Sequence, residues 1–131
     1  MRYLVDTDYV ADFLKGRLGA SDLLTRLAPE GLAISLITYG EIYEGIYYGR
    51  NPRAHESGFL TFLRGVSVLP LTRPIMRRFA RIRGELRAQG QTVGDPDLLI
   101  AATALHHDLV LISRNVKDFR RVPDLTLFQS R

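Results

Sequence analysis

Apolar positions along the chain fall into two patterns, short continuous runs and longer stretches with helical spacing. Apolar runs of this length, bounded by turn residues or helical segments, are typical of strands buried in a sheet. The predicted strands are Arg2–Val5, Leu32–Leu36, Val66–Leu71, Leu109–Ser113 and Leu125–Phe128. Pro70 near the end of the third run indicates an edge strand or a strand end, because proline cannot donate a ladder hydrogen bond.

Helices are predicted between these runs. The clearest carries Ile75, Phe79, Ile82 and Leu86 on one apolar stripe, with arginines on its opposite side, and Gly90 ends it. We expect a short turn at Asn51–Arg53. The other predicted helices run from Thr7 or Asp8 to about Lys15, over residues 20–28, from Ile37 to Tyr48, over residues 54–64, from Asp95 to His107, and as a helical turn over Val116–Arg121.

Strands that alternate with helices predict an α/β/α sandwich around a central, mostly parallel sheet of about five short strands. No internal repeat, low-complexity tract or linker interrupts the 131 residues. We therefore expect a single domain over residues 1–131, a length that can bury one core.

Composition excludes several kinds of site. The chain has no cysteine, which removes disulfides, thiolate metal sites and cysteine nucleophiles. His106 and His107 are adjacent on a predicted helix, so they do not form a two-histidine zinc face. A bound metal would then need oxygen ligands, which favours Mg²⁺ or Mn²⁺.

No segment suggests export or membrane insertion. The longest uncharged apolar runs, Gly31–Gly40 and Leu98–Leu105, are too short to span a bilayer. An acid at Asp6 interrupts the apolar N-terminus where a secretory signal needs a longer apolar stretch. We expect a cytoplasmic protein that does not bind a membrane.

Positive charge is concentrated in the middle of the chain. Residues 50–87 contain nine arginines against Glu56 and Glu85, a local charge of +7, so the remainder carries −3 of the net +4. Arginine's planar guanidinium suits bidentate contact with phosphate, which favours a nucleic-acid partner. Charge alone leaves open the alternative that these arginines only cover solvated faces.

Several polar side chains follow the predicted strands at their carboxyl ends, where sites form in open α/β sheets. Asp6 directly follows the first strand, and Glu41 lies on the helix after the second. Asp97 is in the first turn of the helix before the fourth strand, and Asn115 and Asp118 come just after it. Carboxylates gathered at one sheet edge predict a Mg²⁺ site.

Structural roles compete for some of these acids. Asp6 could cap the first helix, although Thr7 and Asp8 offer the same role. Asp95 and Pro96 occupy the positions expected of N-cap and first helical residue, which leaves Asp97 without an obvious structural task. For Glu41, the alternative is Glu44, one turn further along the helix.

Four segments together resemble a known family. They are YLVDTD, SLITYGEIYEG, VGDPDLLIAATAL and LVLISRNVKDF, in this order from Tyr3 to Phe119. The set resembles the PIN-domain nucleases, and within them the VapC toxins of type II toxin–antitoxin pairs. The resemblance spans essentially the whole chain.

This resemblance implies a PIN-like fold and a metal-dependent endoribonuclease that leaves a 3′-hydroxyl and a 5′-phosphate. The implied catalytic residues are Asp6, Glu41, Asp97 and Asn115, with Asp6 and Asp97 holding Mg²⁺ or, as a substitute, Mn²⁺. Many relatives have an aspartate where this chain has Asn115. Either Asn115 supplies a neutral oxygen, Asp118 replaces the missing acid, or three acids suffice.

The resemblance also implies partners: an RNA substrate, a VapB-like antitoxin and a second copy of the chain in a homodimer. The antitoxin's apolar segment is expected in the groove between the first helices and residues 37–64.

Two other functions remain open from the sequence. One is a phosphatase of the haloacid-dehalogenase type, with Asp6 as nucleophile and Asp8 as acid–base. It would require a lysine between its motifs, and the only lysines are Lys15 and Lys117. The other is a non-catalytic PIN-like module that only binds RNA or protein.

Overall fold

A four-stranded parallel sheet forms the centre of the protein. The computed structural model describes residues 1–129, so the last two residues of the predicted domain, Ser130 and Arg131, lie outside the described residues. The sheet order is β3-β2-β1-β4, and every neighbouring pair is parallel. The strands are β1 (Tyr3–Val5), β2 (Leu32–Ser35), β3 (Val66–Leu69) and β4 (Val110–Ile112). All four carboxyl ends therefore lie at one edge of the sheet.

Helices connect the strands and cover both faces of the sheet. They are α1 (Thr7–Leu14), α2 (Leu18–Leu27), α3 (Leu36–Tyr47), α4 (Pro52–Leu63), α5 (Arg73–Ala88), α6 (Asp95–His107) and α7 (Val116–Phe119), with a 3₁₀ turn at Ala28–Glu30. Among the described residues, no helix has the length and apolar character that a membrane crossing requires.

The core has two layers because successive strand residues face opposite sides of the sheet. Leu4 of β1 and Leu111 of β4 pack in the layer that contains α5 and α6. Val5 and Ile112, their neighbours in sequence, pack in the layer that contains α1 to α4. This confirms the predicted α/β/α sandwich.

The segment Leu125–Phe128, predicted as a fifth strand, makes only one bridge to the sheet. Leu127 pairs in parallel with Leu111, and the N–H of Phe128 donates to the carbonyl of Leu111 at 2.8 Å. The sheet therefore has four strands among the described residues, with this segment beside β4. The expected edge position of the third strand is confirmed, since β3 pairs only with β2.

The beginnings of α4 and α6 differ from the prediction in their local structure, whereas α2 and α3 begin two residues and one residue earlier than predicted. The predicted turn at Asn51–Arg53 is wrong, because α4 already begins at Pro52. Asn51 is its N-cap, and its Oδ1 accepts a hydrogen bond from the N–H of Ala54 at 3.4 Å. Proline fits the first helical position because the N–H it lacks would have no partner there.

The second difference concerns Asp95, which was predicted to cap α6. Gly94 is the N-cap and Asp95 is already helical, so its side chain is free for another contact. Oδ1 of Asp95 accepts from Nε of Arg83 at 2.9 Å, which ties α6 to α5. Asp95 still has a structural role, although not the predicted one.

Candidate active site

Asp6 lies at the carboxyl end of β1 and leads into α1. Its Oδ1 accepts a hydrogen bond from the backbone N–H of Thr7 at 2.8 Å, and only 4% of the residue is exposed. Its own N–H donates to the carbonyl of Ile112 in β4 at 2.9 Å. The prediction that Thr7 or Asp8 caps α1 is wrong. Asp6 is itself the N-cap, because it is the last extended residue before the first helical turn.

The hydroxyl of Thr7 links this segment to α3. It donates to Oε1 of Glu41 at 2.6 Å and lies 3.0 Å from the hydroxyl of the buried Thr38. Glu41 is half-buried in the second turn of α3, whereas Glu44, the alternative weighed from the sequence, is exposed. Glu41 is thus the acid of this helix that reaches the edge of the sheet beside Asp6.

Asn115 joins two further acids. Its Nδ2 donates to Oδ2 of Asp97 at 2.8 Å and to Oδ2 of Asp118 at 3.2 Å. Asp97 lies in the first turn of α6, and Asn115 is the residue from which α7 begins. Both candidates for the fourth site position are therefore present in this cluster. Asn115 presents its amide nitrogen to the carboxylates, and Asp118 adds another carboxylate.

Ser113 connects the two groups of acids, and the sequence analysis did not single it out. Its hydroxyl donates to Oδ2 of Asp6 at 2.6 Å and accepts from the N–H of Asn115 at 2.9 Å. A signal was available, because Ser113 follows β4 at the same edge as the chosen acids. A serine there suggested only the end of a strand.

Burial and mutual repulsion make the acids harder to ionise. Loss of solvent around Asp6 raises its pKa to about 6, despite the hydrogen bonds it accepts, and the charge of Asp97 contributes. Burial also raises the pKa of Asp97, with further contributions from the charges of Asp118 and Glu41. A cation placed among these groups would relieve this repulsion.

The donor chemistry of the cluster fits a hard divalent cation, because carboxylate, hydroxyl and amide groups offer oxygen ligands only. Among residues 1–129, no group of three or more acidic or histidine side chains is already arranged to hold an ion.

An apolar groove borders the acids on the side of Glu41. It lies between α1, α3 and α4 and encloses about 410 Å³. Its lining includes Thr7, Ala11, Leu14, Ile42, Gly45 and Ile46. This is the location expected from the sequence for an apolar segment of an antitoxin.

Comparison with known proteins identifies the family. A family model described as the PIN domain matches residues 3–125. Ribonuclease VapC1 of Haemophilus influenzae strain R2866 is 32% identical over 127 residues, which cover 95% of each chain. The chain belongs to the VapC ribonucleases of the PIN-domain family. The resemblance found in the sequence is thereby confirmed.

Two solved structures of complexes contain a chain with the same fold. One, of VapBC2 from Rickettsia felis bound to a DNA fragment from their promoter, superposes with a TM-score of 0.91 at 26% identity, covering 100% of both chains. A toxin–antitoxin complex from Klebsiella pneumoniae gives a TM-score of 0.77 at 31% identity, covering 95% of both. Membership of the VapC ribonucleases leaves the phosphatase alternative without support.

Proposed function

We propose that this chain is an endoribonuclease that uses a divalent ion, Mg²⁺ with Mn²⁺ as a possible substitute, and is the toxin of a toxin–antitoxin pair. The observation that carries the proposal is the meeting of Asp6, Glu41 and Asp97 at one edge of the sheet, in a VapC ribonuclease. Asn115 completes the proposed catalytic set, and residues 1–131 form its single domain.

Asp6 and Asp97 are the proposed metal ligands. A bound divalent ion would supply Lewis acidity, lowering the pKa of a water and polarising a phosphoryl oxygen. The protein's own contribution is orientation. Ser113 and the N–H of Thr7 fix both oxygens of Asp6, the hydroxyl of Thr7 fixes Glu41, and Asn115 fixes Asp97.

Arginines between residues 50 and 87 are proposed to hold the RNA backbone. On α5, three of them are exposed on the side away from the buried stripe, Arg73, Arg77 and Arg81, and the exposed Arg78 flanks it. Contacts of this kind release counterions from the nucleic acid, so the affinity for RNA should fall as salt is raised.

The proposed protein partner is a VapB-like antitoxin. The groove between α1, α3 and α4 is mainly apolar and ends at Thr7 and Glu41. An apolar segment could therefore occupy it while a basic side chain of the same partner reaches the acids. A homodimer and a cytoplasmic location remain predictions from the family resemblance.

The test is metal-dependent cleavage of RNA by the purified protein, with mapping of the product ends. We expect cleavage with Mg²⁺, none with EDTA, and 5′-phosphate products. Asp6→Asn and Asp97→Asn should each abolish cleavage and relieve growth arrest on expression. Asp8→Asn, which changes an exposed acid beside the site, is the matched control and should stay active. Undiminished cleavage by Asp6→Asn would contradict the assignment, and metal-independent RNA binding without cleavage would favour the non-catalytic module.

A further inference from the structure

A second cavity borders the acids on the opposite side from the apolar groove. It encloses about 420 Å³ between α1, the end of β4, α7 and the segment after it. Its lining includes Tyr9, Ser113, Val116, Arg120, Leu127 and Phe128. Ser113 is also the residue that donates to Asp6, so the cavity begins where the acid cluster ends. This volume is within the range of small-ligand pockets.

The aromatic wall at Tyr9 is held in place by an ion pair. The guanidinium of Arg114 lies 4.9 Å from the centre of the Tyr9 ring. Nη2 of Arg114 is 2.8 Å from Oδ2 of Asp12, which is only 8% exposed, and Arg17 contacts the other oxygen of Asp12 at 3.4 Å. The buried carboxylate of Asp12 therefore favours one orientation of the Arg114 side chain. The Tyr9 ring is therefore fixed without a ligand.

The second aromatic wall, Phe128, is fixed as well. Its ring meets that of Tyr3 edge-on, with centres 5.9 Å apart and planes at 82°. Its backbone N–H donates a hydrogen bond to the carbonyl of Leu111 in β4. Because both rings are already ordered, binding of a flat ligand in the cavity costs little side-chain entropy.

Charge distinguishes this cavity from the groove beside Glu41. Arg120 lines the cavity and is exposed, and none of the ion pairs formed among residues 1–129 uses it. The groove instead carries one charge of each sign, Lys15 and Glu41, beside aliphatic side chains. A cationic cavity with aromatic walls suits single-stranded nucleic acid, whose bases stack on rings while arginine contacts the phosphates.

We propose that the cavity between Tyr9 and Phe128 binds a nucleobase of single-stranded RNA adjoining the phosphate at Asp6, with Arg120 contacting the RNA backbone. The inference rests on the proposed function and adds to it a subsite for the substrate. It assigns the two sides of the acid cluster to different partners, RNA beside Ser113 and the antitoxin beside Glu41.

Steady-state cleavage of a short mixed-sequence single-stranded RNA tests the subsite. Tyr9→Leu and Arg120→Gln should each raise KM about fivefold or more, with kcat changed much less. Tyr9→Phe, which keeps the aromatic ring, should raise KM much less than Tyr9→Leu. Arg2→Gln removes the same charge at the start of β1, at the opposite edge of the sheet, and should leave KM unchanged. A fall in kcat without a rise in KM would overturn the proposal, since it would show that Tyr9 only supports the loop of Ser113.

Photocrosslinking gives an independent result. RNA containing 4-thiouridine, bound to the wild type in EDTA, should crosslink to the peptide containing Tyr9 or to that containing Phe128. Crosslinks confined to α3, α4 or α5 would overturn the subsite. The subsite would also be overturned if Tyr9→Leu weakened antitoxin binding and left the KM for RNA unchanged. If the wild type cleaves no RNA with Mg²⁺, the proposed function itself fails. Unchanged KM in both variants, with an active wild type, refutes only the subsite.

Discussion

The side-chain amide of Asn115 lies 2.8 Å from Oδ2 of Asp97 and donates a hydrogen bond to it. The same nitrogen also reaches Asp118, so one neutral donor holds two carboxylates together. The hydrogen bonds from Asn115 therefore offset part of the repulsion between Asp97 and Asp118. An aspartate at position 115 would replace the donor with a further negative charge.

Asn115→Asp should therefore destabilise the metal-free protein and increase its response to metal. The lost hydrogen bond and the added repulsion should lower the free energy of unfolding by about 1–3 kcal/mol in EDTA. Mg²⁺ should then raise the melting temperature more than in the wild type, because ligand binding stabilises the folded state. Denaturant unfolding with and without Mg²⁺ measures both effects. An equal response of the two proteins to Mg²⁺ would contradict this role of Asn115.

Stability should fall as the pH rises through the titration of Asp6. An acid whose folded pKa lies above its unfolded value binds its proton more tightly when folded. The resulting stability is fully present below the unfolded pKa, near 3.8, and is lost as the pH rises through about 6. In EDTA, the ionised Asp6 should cost up to about 3 kcal/mol at neutral pH.

Asp6→Asn provides the comparison for this pH dependence. The variant keeps an oxygen that can accept from Thr7 but has no charge to bury. It should be more stable than the wild type at pH 7 and closer to it at pH 4, when unfolding is followed by circular dichroism in EDTA. A wild-type protein whose stability rose between pH 4 and 6 relative to the variant would contradict the raised pKa.

Thr7→Val should reduce cleavage by removing the hydrogen bond that orients Glu41. Valine has nearly the same shape, so the helix and its packing are kept while Glu41 loses its 2.6 Å contact. Loss of an outer-shell partner of this kind typically lowers activity or metal affinity about 10–100-fold. Thr7→Ser, which restores the hydroxyl, is the control and should recover most of the activity. Equal rates for the valine and serine variants would show that Glu41 needs no orientation.

Gly45→Leu should weaken antitoxin binding without affecting cleavage. Gly45 lines the groove between α1, α3 and α4, and a Cβ at this position would meet nothing within 4 Å. The added side chain would thus occupy the groove without disturbing the protein. Overpacking in this way typically costs about 1–3 kcal/mol, or roughly 5- to 150-fold in affinity.

Gly40→Leu is the matched control for this substitution. Gly40 lies on the same helix, is exposed, has equal room for a Cβ and does not line the groove. Titration of both variants with the proposed VapB-like antitoxin gives the comparison. Equal affinities would mean that the antitoxin binds elsewhere on the surface.

Periodicity was sufficient to predict the sheet and the layers, because a buried parallel strand and an amphipathic helix each leave a pattern over many residues. Helix beginnings were harder to predict, since the identity of the cap depends on the backbone conformation of a single residue. Asp6 was only one of three candidates to cap α1, with Thr7 and Asp8 preferred, and Asp95 was expected to cap α6. In both helices the last extended residue comes one position earlier than the sequence suggested.

The members of the candidate site were predicted by position, but their connections were not. The rule that sites form at the carboxyl ends of parallel strands selected Asp6, Glu41 and Asp97. It did not indicate that Thr7 and Ser113 would connect them, because hydroxyl residues at strand ends are common and their partners are distant in sequence. Ser113 and Asp6 are separated by 107 positions. Contacts over such distances are set by the packing of the sheet and leave no local pattern.

The parallel order of the sheet has a consequence for synthesis of the protein. Asp6 and Glu41 emerge early from the ribosome, whereas Asp97, Ser113 and Asn115 belong to the last third of the chain. The strand that brings the last two into position, β4, pairs with β1, which is made before it. An incomplete nascent chain therefore lacks the proposed nuclease site. Inhibition of the proposed nuclease is therefore needed only after the segment that contains Ser113 and Asn115 has been made.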